Sequence, residues 1–149
     1  MSLLQLNESV PELSIEVGLG KRFLNFIIDL VFVRILSVIA AIPIALVIFS
    51  LAPDRPRREL FIILDYLLWL GTYLLYYLMM ESTFQRTVAK WVTGTKVVSA
   101  EGGKPSFRQI LIRTVVRIVP FDGLSFAIAD RGWHDSWSGT KVIDSRVIS

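Results

Sequence analysis

"KRFLNFIIDLVFVRIL", residues 21–36, decides how this chain is read. It has the apolar density of a helix made for lipid, yet Asp29 and Arg34 interrupt it. A charge at the centre of a bilayer costs about 2.5–3.5 kcal/mol on insertion scales, so such side chains pair, reach the interface or serve a function. Beyond Arg34, residues 35–53 run nineteen positions without a charge. A second stretch, 66–80, gives fifteen, and reaches back to residue 60 if Asp65 is included. A hydrocarbon core about 30 Å thick needs roughly 20 helical residues. Two crossings fit, over about 23–51 and 60–80. With 53% hydrophobic and 19% charged residues, the chain is too apolar for an ordinary soluble domain, and 149 residues leave room for one domain.

The flanking sequence fills in the rest. Residues 1–19 form a polar lead carrying Glu8, Glu12 and Glu16 and no basic residue, unlike a cleaved secretory signal. The first helix is therefore expected to remain as an anchor, with 20–149 as a single membrane domain. Pro43 is a candidate kink, and "APDRPRRE" (52–59) a tight turn between helices. Tyr73, Tyr76 and Tyr77, leading to Glu81, read as an aromatic belt at headgroup level. Asp65 is read as reaching the interface. "GTKVVSAEGGKPS" (94–106) reads as a strand followed by a turn, and "GTKVI" (139–143) nearly repeats its start, so the two can pair. "SFRQILIRTVVRIV" (106–119) starts at the N-cap Ser106 and stops at Pro120. At 100° per residue Gln109, Arg113 and Arg117 fall on one side, with Phe107, Leu111, Val115, Ile118 and Val119 on the other. Arg108 sits in the first turn, where it can snorkel. Such a basic amphipathic helix lies in the membrane surface or packs on the spanning helices. Residues 118–129 are apolar but too short to cross. The expected fold class is all-α integral membrane: a two-helix transmembrane hairpin, a basic amphipathic interfacial helix, a short re-entrant or interfacial segment and two short β-strands.

The charges then sort themselves. Arg22 and Asp29 are seven residues apart, two helical turns, and share a face. A hairpin centred near Arg55 brings Asp29 level with Glu81 or Ser82. Arg22, Asp29 and Glu81 thus form a polar layer that either binds cations or carries protons, or simply clamps Asp29 to Arg22. Lys21, Arg22, Arg86, Lys90 and Lys96 lie near the spans on the side of both termini, against Arg55, Arg57 and Arg58 in the turn. The positive-inside rule puts both termini in the cytoplasm. The chain has no cysteine and one histidine, His134, which argues against thiol or multi-histidine metal sites. No nucleophile motif or phosphate loop is present, so no catalytic residue, metal or cofactor is expected, and no nucleic-acid partner. Two helices enclose no pathway alone. The expected partners are the lipid bilayer and either further copies in a homo-oligomer or another membrane protein, with Trp91, Trp133 and Trp137 as interfacial anchors.

These residues resemble the RDD family, small bacterial membrane proteins named for one arginine and two aspartates. Arg22 and Asp29 fall on the first two positions, and Asp135 in "WHDSWSGTKVI" (133–143) on the third. "QRTVAKWVTGTKVV" (85–98) is similar to the family at Thr87, Lys90, Gly94, Val97 and Val98, but has Gln85 and Ala89 where many members have glycines. "EGGKPSFRQILIRTVVRIVPF" (101–121) follows the family's Gly-Gly-x-Pro-Ser helix, and the likeness covers roughly residues 18–143. The resemblance implies a multi-pass protein of the bacterial inner membrane, involved in transport of an ion or small solute, cation/proton exchange among the activities. The alternative is a non-transporting partner or assembly factor. It brings no catalytic site, and it completes a candidate polar cluster of Arg22, Asp29, Glu81 and Asp135. For Asp135, beside His134, the expected role is capping a turn or pairing with an arginine.

Overall fold

The computed structural model of the protein describes residues 17–51, 58–119 and 132–146. The polar lead as far as residue 16, the turn at 52–57 and most of the segment 118–129 lie outside the described residues. Two long helices dominate: α1, Leu19–Leu51, and α2, Arg58–Phe84. Both are long and apolar enough to cross a membrane. They run antiparallel: Phe49 stacks on Phe61 at one end, centroids 5.5 Å apart, and Phe32 meets Tyr76 at 5.6 Å further down. α1 stays helical through Pro43, whose missing amide removes one backbone bond without ending the helix. α2 continues past the expected end at Met80 to Phe84, because Glu81 is buried and ion-paired and so does not mark a surface.

Burial runs opposite to that of a soluble domain. α1 buries Arg22, Asn25, Asp29, Val33 and Ser37, a stripe at helical spacing made mostly of polar residues. Val31, Ile35, Ile39, Ile42 and Leu46 point outward. Among the described residues the buried set holds fifteen polar or charged side chains against twelve hydrophobic ones, the reverse of the usual order. Tyr73, Tyr76 and Tyr77 belong to this interior, packed with Val33, rather than to an exposed belt.

The remaining elements cap one end of the hairpin. They are α3 (Val88–Thr93), β1 (Thr95–Ser99), α4 (Phe107–Val116), α5 (Trp133–Ser138) and β2 (Thr140–Asp144). The strands pair antiparallel, Thr95 opposite Asp144 and Ser99 opposite Thr140, as the two "GTKV" segments suggested. Each follows a six-residue helix that closes on a left-handed glycine, Gly94 (φ 70°) or Gly139 (φ 62°). Glycine takes that conformation at no steric cost, and its amide satisfies the last helical carbonyls. Both segments are therefore one helix–glycine–strand unit used twice. The short helices α3 and α5 were not expected, since six residues are too few for a periodic pattern. Val17, Val97, Ile110 and Val142 form the apolar centre of the cap.

α4 opens with a reciprocal capping box between Ser106 and Gln109. Its faces are those read from the sequence, but it is turned inside out. Arg113 is fully buried, while Phe107, Leu111, Val115 and Ile118 are exposed. The basic side faces protein carboxylates, and the apolar side is left exposed.

Candidate functional site

The buried charges form a chain of ion pairs through the cap. Arg22, in the first turns of α1, donates from Nε to the Val17 carbonyl at 2.9 Å and from Nη1 to Asp135 Oδ2 at 2.5 Å. Asp135, at the third position of α5, also receives Arg113 Nη1 on Oδ1. Arg113 then reaches the other way, Nε to Glu81 Oε2 at 2.9 Å, and its Nη1 also donates to Thr140 Oγ1 at 2.8 Å. Glu81 collects two more cations on Oε1: Lys90 Nζ at 2.8 Å and Arg117 Nη2 at 2.9 Å. The Arg117 guanidinium lies over the Tyr77 ring, 4.0 Å from its centroid. In order, α1, α5, α4, α2 and α3 are tied together by charge.

Asp29 is held differently. The sequence reading paired it with Arg22, and that pairing does not hold. Two turns of spacing put Arg22 and Asp29 on one face, but Arg22 is taken by Asp135 and Val17. Asp29 lies against Tyr76 instead, whose hydroxyl donates to Oδ1 at 2.7 Å. Thr87 Oγ1 donates to Oδ2 at 2.6 Å, and the Ala89 amide to Oδ1 at 3.1 Å. Thr87 is the N-cap of α3, so its hydroxyl also accepts from the Lys90 amide. The first turn of α3 thus presents a hydroxyl and an amide to the carboxylate, a favourable end of a helix for an anion. No lysine or arginine among the described residues forms an ion pair with Asp29, which is 1% exposed. One turn earlier on α1, Asn25 donates to Thr95 and accepts from Thr93 at 2.6 Å, tying α1 to the start of β1.

Between these groups lies a cavity of about 40 Å³, bordered by Arg22, Asn25, Asp29, Lys90, Arg117 and His134. That is room for water-sized occupants with polar partners on several sides. Burial pushes the Lys90 ammonium below its ordinary pKa, against the pull of Glu81. Burial also holds His134 well below the imidazole range, and the nearby Arg113, Arg117, Lys90 and Arg22 add to this, so the ring is neutral. At the outer edge of the cap Lys21 pairs with Asp144 at 2.5 Å and lowers its pKa, in an exposed setting. Among the described residues no group of three or more His, Asp or Glu is placed to hold a metal ion.

Arg22, Asp29, Glu81 and Asp135 are thus all buried, with their bonds in two sets: the ion-pair chain and the neutral donors around Asp29. Sequence reasoning missed Lys90, Arg113, Arg117, Tyr76 and Thr87 as members. The i, i+4 spacing of Arg113 and Arg117 on one face was the available signal; Lys90 entered as a topology-setting charge and, with Thr87, as a position of likeness to the family. Asp65, read as an interfacial residue, pairs with Arg34 at 3.0 Å.

No curated protein and no solved structure matches this chain. The RDD family model matches residues 17–139, from the residue whose carbonyl receives Arg22 to the glycine that closes α5. This span includes Arg22, Asp29, Glu81 and Asp135, and with it the chain belongs to the RDD family.

Proposed function

We propose that this protein sits in the bacterial inner membrane with α1 and α2 as spans and both termini in the cytoplasm. There it moves a proton or small cation by way of Asp29, without catalysis. One observation carries the reading. Asp29 is a buried carboxylate satisfied only by neutral donors, at the edge of a cavity large enough for water. Arg22, Lys90, Arg113 and Arg117 line the same cavity, and Lys90 acts on Asp29 through space, but none of them forms an ion pair with it, which leaves a proton or small cation to neutralise it directly. Glu81 and Asp135, by contrast, are saturated by lysine and arginine and act as scaffold. The outward apolar faces of α1, α2 and α4 support the lipid setting, and the lysines and arginines of the cap support its cytoplasmic placement.

A second reading has its own support. An ion-pair chain linking five elements is also what a rigid membrane partner or assembly factor needs. Flux separates the two. Purified protein in liposomes holding a pH-sensitive dye, with a Na⁺ or K⁺ gradient imposed, is expected to exchange cations for protons. Asp29→Asn is expected to cut that flux more than about tenfold, equivalent to 1.4 kcal/mol of barrier. Asp29→Glu retains part of it. Wild-type liposomes that pass neither protons nor cations above empty ones would remove transport and leave the partner reading.

A further inference from the structure

One charged pair stands apart from the buried cluster. Arg34 Nη1 and Asp65 Oδ1 lie 3.0 Å apart across α1 and α2, with each side chain 49% exposed. Asp65 is seven residues from Arg58, where α2 starts, about 10 Å along the axis at 1.5 Å per residue. Its neighbours Ile62, Ile63, Tyr66 and Leu67 are exposed, so the pair opens within an apolar band. Hydrocarbon solvates neither ion, and a pair left half open there keeps much of its desolvation cost. Beside it runs a groove between the helices, lined by Ala41, Ala45 and Ile48 of α1 and by Phe61, Leu64 and Leu68 of α2, with Asp65 on its wall. Arg34, Ala41, Ala45 and Ile48 share one face of α1, being 7, 11 and 14 residues on from Arg34.

We propose that this groove is the interface of a homodimer, in which a second copy of the chain seats along it about a two-fold axis parallel to the helices. Charge complementarity selects the occupant. Copies inserted in the same direction carry their Arg34–Asp65 pairs at the same depth. A two-fold axis then sets each Arg34 against the partner's Asp65, and the reverse. Four alternating charges result, each ion gains a second opposite neighbour, and the quartet is removed from lipid. A lipid tail covers the pair without compensating it. A foreign helix would have to bring an opposite pair at that depth. The alanines on the groove floor let the backbones approach closely, as small residues do between membrane helices. This inference is independent of whether the protein transports anything.

The chain lacks cysteine, so single cysteines report the interface. The full chain carrying Ala45→Cys, reconstituted in liposomes at high lipid excess and treated with a short bis-maleimide, is expected to give a two-chain adduct. Val47→Cys, about 200° round the helix and exposed, is expected to give at least about tenfold less. In the Ala45→Cys background, Arg34→Asp or Asp65→Arg alone makes all four charges alike and should cut self-adduct about tenfold, equivalent to 1.4 kcal/mol. Mixing these two variants restores opposite charges and should restore the adduct. Equal cross-linking at Ala45 and Val47, no two-chain adduct at Ala45, or charge variants that self-link like their parent would each overturn the homodimer. Should the charge variants fail to insert, the comparison of Ala45 with Val47 in the unaltered background decides alone.

Discussion

Arg113→Leu is expected to remove about 3–5 kcal/mol of stability, the usual cost of taking one partner from a buried ion pair. Arg113 is fully enclosed and is the only side chain among the described residues that contacts both Glu81 and Asp135. Losing it separates the α2 carboxylate from the α5 carboxylate and strips Thr140 of a donor. Each carboxylate keeps another cation, Lys90 and Arg117 for Glu81 and Arg22 for Asp135, which holds the loss to the lower part of that range. Arg113→Lys separates charge from geometry. A single ammonium cannot reach both carboxylates as the guanidinium fork does, so it should recover only part of the loss. Unfolding in mild detergent, followed by thermal or denaturant titration, checks both. Wild-type stability in Arg113→Leu would mean that the ion-pair chain contributes nothing to the fold.

What the sequence made legible followed periodicity, and what it hid followed contacts across long separations. Nineteen uncharged residues after Arg34 marked α1, and fifteen after Asp65 marked α2, because lipid demands uninterrupted apolar length. The end of α2 was missed because Glu81 looked like a boundary when read alone. Its three cations come from Lys90, Arg113 and Arg117, on two other elements. The two faces of α4 were legible from 100° spacing, but spacing does not say which face turns inward. A soluble or surface-lying helix hides its apolar side; here two carboxylates, Glu81 of the hairpin and Asp135 of the cap, hold the arginines inside. Arg22 and Asp29 were grouped correctly by face and mispaired. Asp135, 113 residues further along, outcompetes a neighbour two turns away. No local rule carries that contact. Only the likeness in "WHDSWSGTKVI" had brought Asp135 into the set.

Glu81→Gln is expected to cost the most, because three buried cations share that one carboxylate. Two of them, Arg113 and Arg117, cannot lose their charge. Lys90 can, and burial already favours its neutral form. The variant should therefore lose about 3–5 kcal/mol near neutral pH and recover part of it as pH rises. The sign follows from linkage. With Lys90 neutral in the folded state and protonated in the unfolded one, the unfolded chain binds more protons. Stability then climbs with pH until about 10.4, where the unfolded lysine also deprotonates. Lys90→Met alone should cost less, since Glu81 keeps two arginines, and it removes the climb. Combining the two substitutions deletes one negative and one positive charge together, so the double variant should be more stable than the sum of the single losses predicts. A double-mutant cycle on unfolding free energies measures that difference, and pairs in direct contact commonly couple by about 0.5–3 kcal/mol. Strict additivity, with no pH slope in Glu81→Gln, would show that Lys90 and Glu81 do not share a buried bond, and the arrangement of charges around α2 and α3 would have to be redrawn.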